Sequence, residues 1–139
     1  MKDSLRAIVI EDDFLLAQVL VDALASLGCK VLGSASNVAD GVHLATESRC
    51  DFAIVDLDLK GQIALPVLDR LRGRGIPFLV ATGAFSEDIP APYVDAMRLS
   101  KPYNLRELKQ ALALLVPGFD LPSKPGRGSM PASSASYRG

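Results

Sequence analysis

Carboxylate, hydroxyl and ammonium side chains follow four short apolar runs of this sequence, and together they could carry phosphoryl-transfer chemistry. In chain order they are Glu11, Asp12, Asp13, Asp56, Asp58, Thr82 and Lys101. Carboxylates that converge in a poorly solvated crevice repel one another, and a hard divalent cation such as Mg²⁺ offsets that repulsion. A lysine and a threonine hydroxyl can contact the oxygens of an anion. Asp56 is then the candidate nucleophile of a transient aspartyl phosphate.

An alternation of short apolar runs with helical patterns would bring these residues together. The sequence predicts strands at 6–10, 31–35, 52–55, 77–81 and 97–100, and helices at 13–27, 37–47, 63–72 and 104–116. Strands that alternate with helices imply right-handed crossovers and a doubly wound, five-stranded parallel α/β sheet. Sites in such folds lie at the carboxyl ends of the strands, which is where the polar residues stand.

The segment between the fourth and fifth predicted strands departs from this alternation. Ser86 to Asp95 contains Pro90 and Pro92. A proline in a helix interior removes a backbone hydrogen bond and clashes with the preceding turn. We therefore expect the fourth helix to be broken, shortened or replaced by a loop.

The length and the distribution of apolar residues predict one domain followed by a tail. A chain of 139 residues is too short for two well-packed cores. After Pro117 the sequence is rich in proline, glycine and serine, with too few large apolar side chains to offset the entropy of ordering. We expect a domain over residues 1–117 and a disordered tail over residues 118–139.

Charge and hydropathy exclude several classes of function. The formal net charge is -1, from 15 basic and 16 acidic residues, which gives no long-range field for nucleic acid or an anionic membrane. No apolar run approaches the roughly 20 residues that span a bilayer, and the N-terminus lacks the apolar region of a secretory signal. We therefore expect a cytoplasmic protein without a nucleic-acid or membrane partner.

Three of the candidate residues also have a plain structural interpretation. Asp13 could cap the first helix, and the sequence leaves open whether it also reaches the metal. Thr82 with Gly83 is a common strand-to-loop turn, and Asp56 alone could be a surface carboxylate. The functional interpretation depends on all of these residue types occurring in order at the correct strand ends, which chance seldom produces.

With these residues, the sequence over roughly residues 5–116 resembles the receiver domain of two-component response regulators. The resemblance implies a flavodoxin-like sheet of strand order 2-1-3-4-5. It implies that Asp56 accepts a phosphoryl group from a histidine kinase. It also implies a set of Mg²⁺ ligands, namely Glu11, Asp12, Asp56 and the backbone carbonyl of Asp58.

The same resemblance assigns the residues after the last two strands, and it shows two departures. Thr82 matches the hydroxyl residue that senses the phosphoryl group, and Lys101 matches the lysine that contacts it, in a Lys101-Pro102 bond that is usually cis. Receivers commonly carry an aromatic residue where this chain has Arg98. The sequences PFLVATGAF and KPY are similar to single-domain receivers named for a Phe-Ala-Thr-Gly motif, although Val80 replaces the motif's phenylalanine.

The resemblance implies a single-domain response regulator that signals by protein–protein interaction or phosphorelay and is not a turnover enzyme. Its partner is then a phosphotransfer protein or a sensor histidine kinase, with the HWE or HisKA2 type suggested by the subgroup. One alternative is a pseudo-receiver, an interaction module that neither binds Mg²⁺ nor is phosphorylated. Another is a Mg²⁺-dependent phosphohydrolase with Asp58 as acid/base, but such enzymes usually need a longer chain.

Overall fold

Five parallel strands form the central sheet of the protein. The computed structural model describes residues 4–83 and 89–119. The strands are β1 (Arg6–Ile10), β2 (Lys30–Ala35), β3 (Phe52–Asp56), β4 (Asp58–Leu59), β5 (Gln62–Ile63), β6 (Phe78–Thr82) and β7 (Arg98–Ser100). The main sheet has the order β2-β1-β3-β6-β7, while β4 and β5 form a separate antiparallel hairpin. The predicted order 2-1-3-4-5 is therefore confirmed for the five strands of the main sheet.

In the described parts of the chain, four α-helices cover the two faces of this sheet. They are α1 (Phe14–Ser26), α2 (Val38–Glu47), α3 (Leu65–Gly73) and α4 (Leu105–Leu115). Leu24 of α1 and Leu112 of α4 share one hydrophobic cluster, and Val67 and Leu68 of α3 belong to the other. Every residue of β3 and of β6 is buried, because helices cover both sides of these central strands. The helices and main-sheet strands begin and end within two residues of the predicted bounds.

Short polar side chains fix the beginnings of three helices. Asp13 accepts a hydrogen bond from the backbone of Leu16, and Asn37 accepts one from that of Asp40. Asn104 and Glu107 form a reciprocal capping box at the start of α4. The interpretation of Asp13 as a helix cap is thus confirmed, and α1 starts directly after the acidic residues that end β1.

The fourth crossover contains a three-residue 3-10 helix, Ala91–Tyr93, among its described residues. Pro90 precedes this turn and Pro92 lies within it, so the shortening expected from the prolines is confirmed; residues 84–88 lie outside the described residues. The Tyr93 ring is buried, its hydroxyl donates to Asp69, and the Arg72 guanidinium lies 4.2 Å from the ring centre. These α3 contacts hold the shortened segment, and the sequence pattern did not predict them.

The β4–β5 hairpin was not predicted, and it delays the start of α3 from residue 63 to Leu65. Its two central residues, Lys60 and Gly61, have φ angles of 53° and 84°. Two-residue hairpin loops favour such positive φ values because their twist then matches that of the strands. Strands of two residues are too short to show an alternating apolar pattern, so the sequence pattern did not predict the hairpin.

The described chain continues past the last helix to a buried aromatic residue. Phe119 is 9% exposed and belongs to the cluster on the α1 and α4 face. Residues 120–139 lie outside the described residues. The domain boundary at 117 and the disordered tail therefore stay predictions.

Among the helices in the described part of the chain, none has the length and apolar content required to cross a membrane.

A glycine in α2 allows the close packing of α2 against its neighbours. A Cβ atom added at Gly41 would lie 2.9 Å from a methyl group of Val67 and 3.2 Å from one of Ile10. We expect Gly41→Ala to lower the free energy of unfolding by about 1 kcal/mol, because overpacking outweighs the helical preference of alanine. Gly73 in α3 has no atom within 4 Å of the added position, so Gly73→Ala is the control. Urea unfolding of both variants measures the difference, and a Gly41→Ala protein as stable as Gly73→Ala would contradict it.

Candidate functional site

Four predicted site residues meet at the carboxyl end of the sheet. Glu11 follows β1, Asp56 and Thr82 are the last residues of β3 and β6, and Lys101 follows β7. Glu11, Asp56 and Thr82 are the buried polar residues of the described chain, with exposures of 4%, 6% and 3%. Because β1, β3 and β6 are neighbours in one parallel sheet, residues far apart in sequence share this edge.

Three carboxylates form one acidic cluster at this edge. Oxygen atoms of Glu11, Asp12 and Asp56 all lie within 4.8 Å of one another. Backbone amides orient each of them. Glu11 accepts from the amide of Asp13 at 3.1 Å, Asp12 from that of Lys60 at 2.9 Å, and Asp56 from that of Asp58 at 3.1 Å. These are oxygen donors that a small hard cation prefers, so the residues present fit Mg²⁺.

The ammonium group of Lys101 joins two of these carboxylates. Its Nζ lies 2.8 Å from Asp56 Oδ2 and 3.0 Å from Glu11 Oε1. The Lys101 amide donates to the carbonyl of Thr82 at 2.7 Å, which ties the end of β7 to the end of β6. The Lys101-Pro102 peptide bond is cis, as the family resemblance implied.

Burial and charge shift the acid–base properties of these groups. Burial raises the pKa of Glu11 to about 7, against the opposing hydrogen bond from Lys101. Burial acts to lower the pKa of Lys101, but hydrogen bonds to Asp56 and Glu11 outweigh it and the pKa is raised. Burial acts to raise the pKa of Asp12, yet hydrogen bonds from the Lys60 amide and with Glu11 hold this pKa below its usual value. Asp56 and Glu11 therefore stabilise the positive charge of Lys101.

Two further aspartates beside the cluster have separate positions. Asp13 caps α1, and it is not among the carboxylates of the acidic cluster. The exposed Asp58 uses Oδ1 to accept a hydrogen bond from the amide of Gly61 at 3.0 Å. Its side chain thus stabilises the hairpin turn. The role of its backbone carbonyl as a metal ligand stays a prediction.

Sequence reasoning missed two contributors to the site. The backbone amide of Lys60, 48 residues from Asp12, fixes that carboxylate, and only the unpredicted hairpin brings it there. Tyr103 lies two residues after Lys101, and burial together with the charge of Glu11 raises its pKa. The sequence KPY was noted for its family resemblance, and no signal in it indicated that the charge of Glu11 acts on the Tyr103 hydroxyl.

Arg98, which stands where receivers commonly carry an aromatic residue, is exposed. Arg98 begins β7, and its guanidinium donates to the carbonyl of Val94 at 3.3 Å. Val94 directly follows the 3-10 helix. The position that normally carries an aromatic ring thus contacts the shortened fourth crossover through a polar group.

Helix α1 carries an exposed apolar surface next to the acidic cluster. Phe14 and Leu15 are 83% and 71% exposed, and Leu16 and Val19 are also exposed. A groove of about 670 Å³ runs between this helix and the segment from Lys101 to Leu108. Exposed large apolar residues grouped in this way are typical of a protein-interaction surface.

A doubly wound parallel sheet with an acidic cluster and a lysine at its carboxyl edge defines a receiver domain of two-component signalling. The chain belongs to the response regulator receiver domain family, which matches residues 7–113. The curated relatives are bacterial. The chain is 25% identical over 118 residues to the transcriptional regulatory protein PdtaR of Mycobacterium tuberculosis. This match covers 82% of the chain and 58% of PdtaR. The chain thus matches little more than half the length of that relative.

Solved structures show the same fold. SdrG from Sphingomonas melonis Fr1 has a TM-score of 0.72 and 31% identity, over 81% of this chain and 97% of SdrG. The receiver domain of the sensor histidine kinase PA1611 from Pseudomonas aeruginosa has a TM-score of 0.68 and 22% identity, over 81% and 97%. That structure holds a magnesium ion in its active site cleft.

Proposed function

We propose that the protein accepts a phosphoryl group on Asp56 from a sensor histidine kinase or a phosphotransfer protein. Mg²⁺ would be held by Glu11, Asp12, Asp56 and the carbonyl of Asp58. The observation that carries the proposal is the pair of contacts from Lys101 Nζ to Asp56 and Glu11, at 2.8 and 3.0 Å, inside the acidic cluster. A buried carboxylate flanked by a fixed ammonium and further carboxylates supports the role of phosphoryl acceptor.

The proposed reaction is an in-line displacement at phosphorus. A carboxylate oxygen of Asp56 attacks the phosphohistidine of the donor, the new O–P bond forms, and the P–N bond breaks with its electron pair remaining on the histidine nitrogen. Mg²⁺ held by Glu11, Asp12 and Asp56 would offset the negative charge of the phosphoryl oxygens. Lys101 already contacts Asp56, so it needs little movement to pair with an oxygen of the aspartyl phosphate. The Asp58 amide orients Asp56 Oδ1 throughout.

The apolar face of α1 supports the choice of a protein donor. Asp13 caps the helix beside the acidic cluster, and the exposed Phe14, Leu15 and Leu16 follow at once. A helix of the donor that packs on this face would bring a phosphohistidine close to Asp56. Burial of these apolar side chains would provide most of the docking free energy.

Output would pass through the end of β6 and the shortened fourth crossover. Thr82 is buried beside the acidic edge, and we propose that its hydroxyl contacts the phosphoryl group. Because Arg98 stands where receivers commonly carry an aromatic residue, the response would depend on Thr82 and on the contact of Arg98 with the Val94 carbonyl. Phosphorylation would thus change a protein-binding surface, which is a common form of two-state switch.

The receiver subgroup and the type of donor kinase are also part of the proposal. The sequence Ala81-Thr82-Gly83 supports a Phe-Ala-Thr-Gly-type receiver, with an HWE or HisKA2 kinase as donor. In this role the protein acts in the cytoplasm, where the kinase has its ATP, and it takes up one phosphoryl group without turning over a substrate. A phosphorelay and a direct interaction with a target are both compatible with this chemistry.

Incubation with acetyl phosphate tests the proposed function. With Mg²⁺ present, intact-mass spectrometry should show the addition of one phosphoryl group, removable by hydroxylamine, which cleaves acyl phosphates. Omission of Mg²⁺ with EDTA present should prevent the addition. A protein that gains no hydroxylamine-sensitive phosphate from either acetyl phosphate or a phosphorylated histidine kinase would contradict the proposal and favour an interaction module.

Removal of the Lys101 charge should destabilise the metal-free protein. In Lys101→Met, buried Glu11 and Asp56 lose their shared donor, so we expect the free energy of unfolding to fall by about 1–3 kcal/mol. Saturating Mg²⁺ should restore part of the loss, because it binds the folded state. Thermal unfolding with and without Mg²⁺ measures both effects. Lys30→Met, at an exposed strand end, is the control, and equal stability of the two variants would refute the prediction.

A further inference from the structure

The β4–β5 hairpin directs two of its backbone amides at carboxylates from two different strand ends. The amide of Asp58 donates to Asp56 Oδ1 at 3.1 Å, and that of Lys60 donates to Asp12 Oδ2 at 2.9 Å. Successive amides of an extended chain point to opposite sides, so amides two residues apart face the same way. The intervening Leu59 is 1% exposed, and its side chain anchors the hairpin in the core.

Asp12 differs from the other two carboxylates in how it is held. Glu11 and Asp56 are buried and contact Lys101. Asp12 is only partly buried and lies in the short loop between β1 and α1. Without a tether, a side chain in such a position is free to rotate toward solvent. The hydrogen bond from the Lys60 amide to Asp12 Oδ2, at 2.9 Å, orients this side chain toward the cluster.

We propose that the turn formed by Lys60 and Gly61 is a positioning element that holds Asp12 in place for a divalent cation. This inference rests on the Mg²⁺ site of the proposed function. The acting group is the backbone amide, since the Lys60 side chain is exposed. The amide occupies Asp12 Oδ2 and leaves the second carboxylate oxygen available to the cation. Partners that orient a metal ligand typically contribute ten- to a hundredfold to metal affinity.

The turn keeps its shape because of an unusual backbone conformation. Gly61 has φ = 84°, and its amide donates to Asp58 Oδ1 at 3.0 Å. Glycine adopts this left-handed region without strain and asparagine tolerates it, whereas a β-branched residue does not. A substitution at Gly61 can therefore distort the turn without touching any carboxylate of the cluster.

A matched pair of glycines separates the effect of the hairpin turn from a general loss of stability. Gly61 and Gly28 share φ = 84°, and neither has an atom within 4 Å of an added Cβ, but Gly28 lies at the end of α1. We expect Gly61→Val to weaken Mg²⁺ binding about tenfold, measured by NMR shift titration with MgCl₂. Gly28→Val should bind Mg²⁺ like the wild type, even if its melting temperature falls as far as that of Gly61→Val.

Two further variants separate the amide from the side chain. Gly61→Asn keeps the turn conformation and should retain wild-type affinity. Lys60→Gly removes the side chain but keeps the amide, and it should bind Mg²⁺ at least as tightly. Wild-type affinity in Gly61→Val, or an equal loss in Gly28→Val, would overturn the inference. A wild type that binds no Mg²⁺ would instead overturn the proposed function, and the inference with it.

The hydrogen bond from the Lys60 amide to Asp12 can be tested without metal. In Mg²⁺-free buffer, hydrogen exchange at the Lys60 amide should be faster in Asp12→Ala than in the wild type, because its acceptor is gone. The exposed Asp22 on α1 provides the control variant Asp22→Ala, which should leave this amide protected. Equal exchange rates at Lys60 in the wild type and Asp12→Ala would overturn the proposed role of the turn.

Discussion

Replacement of Asp56 by asparagine is expected to abolish phosphorylation by both acetyl phosphate and a phosphorylated histidine kinase. The carboxylate oxygen is the nucleophile of the proposed reaction, and a neutral amide cannot form the acyl phosphate. The buried Asp56 side chain is held by Lys101 and by the Asp58 amide, and asparagine keeps the size needed for the second contact. We therefore expect a folded protein without phosphate uptake. Intact-mass spectrometry before and after hydroxylamine measures the outcome.

The control for this experiment lies two residues further along the chain. Asp58→Asn keeps a side-chain oxygen that can accept from the Gly61 amide, so the hairpin turn should survive and phosphorylation should continue. If Asp58→Asn instead formed the phosphate but no longer released it, the acid/base role of a phosphohydrolase would gain support. Hydroxylamine-sensitive phosphate on Asp56→Asn would refute the assignment of the acceptor.

Replacement of Asp12 by asparagine is expected to weaken Mg²⁺ binding by at least about tenfold. The three carboxylates of the cluster lie within 4.8 Å of one another, so a cation bound there is close to every charge. Removal of one full charge at such a distance costs several kcal/mol even in a well-screened site, and about 1.4 kcal/mol corresponds to tenfold in affinity. Phosphate uptake at limiting Mg²⁺ should fall in parallel. Titration followed by NMR gives the affinity directly.

The neighbouring aspartate offers a control with the same chemical change. Asp13 caps α1 through its side-chain oxygen, which asparagine also provides. Asp13→Asn should therefore preserve the helix and leave Mg²⁺ affinity within about twofold of wild type, since only a more distant charge is lost. Equal weakening by the two substitutions would show that the loss reflects net charge around the site and not ligation by Asp12.

The composition of the site was predictable from the sequence because the chemistry depends on residue type at strand ends. Short buried runs fixed where β1, β3 and β6 end, and parallel pairing then brought Glu11, Asp56 and Thr82 to one edge. The contacts of Lys101 with two carboxylates agree with that reasoning. The Mg²⁺ ligands and the phosphoryl contacts stay proposals that the experiments above address.

What the sequence could not supply are contacts that depend on backbone geometry or on distant packing. The hairpin that holds Asp12 has strands of two residues, too short for any periodic pattern. Its key donor is a backbone amide, which every residue type except proline provides, so no letter in the sequence identifies it. The buried Tyr93 was equally hidden, because its partners Arg72 and Asp69 lie on another element more than 20 residues away.

For Asp56 the sequence alone determined the fold class, the strand that carries the residue and the types of its neighbours, because hydrophobic periodicity and residue type are local properties, whereas the strand order was implied by the family resemblance. The tertiary structure decided how those neighbours are held. Lys101 joins Asp56 to Glu11, the hairpin amides orient Asp56 and Asp12, and Arg98 turns toward the shortened crossover. Each of these depends on distances between elements remote in the chain, which only the packed fold sets.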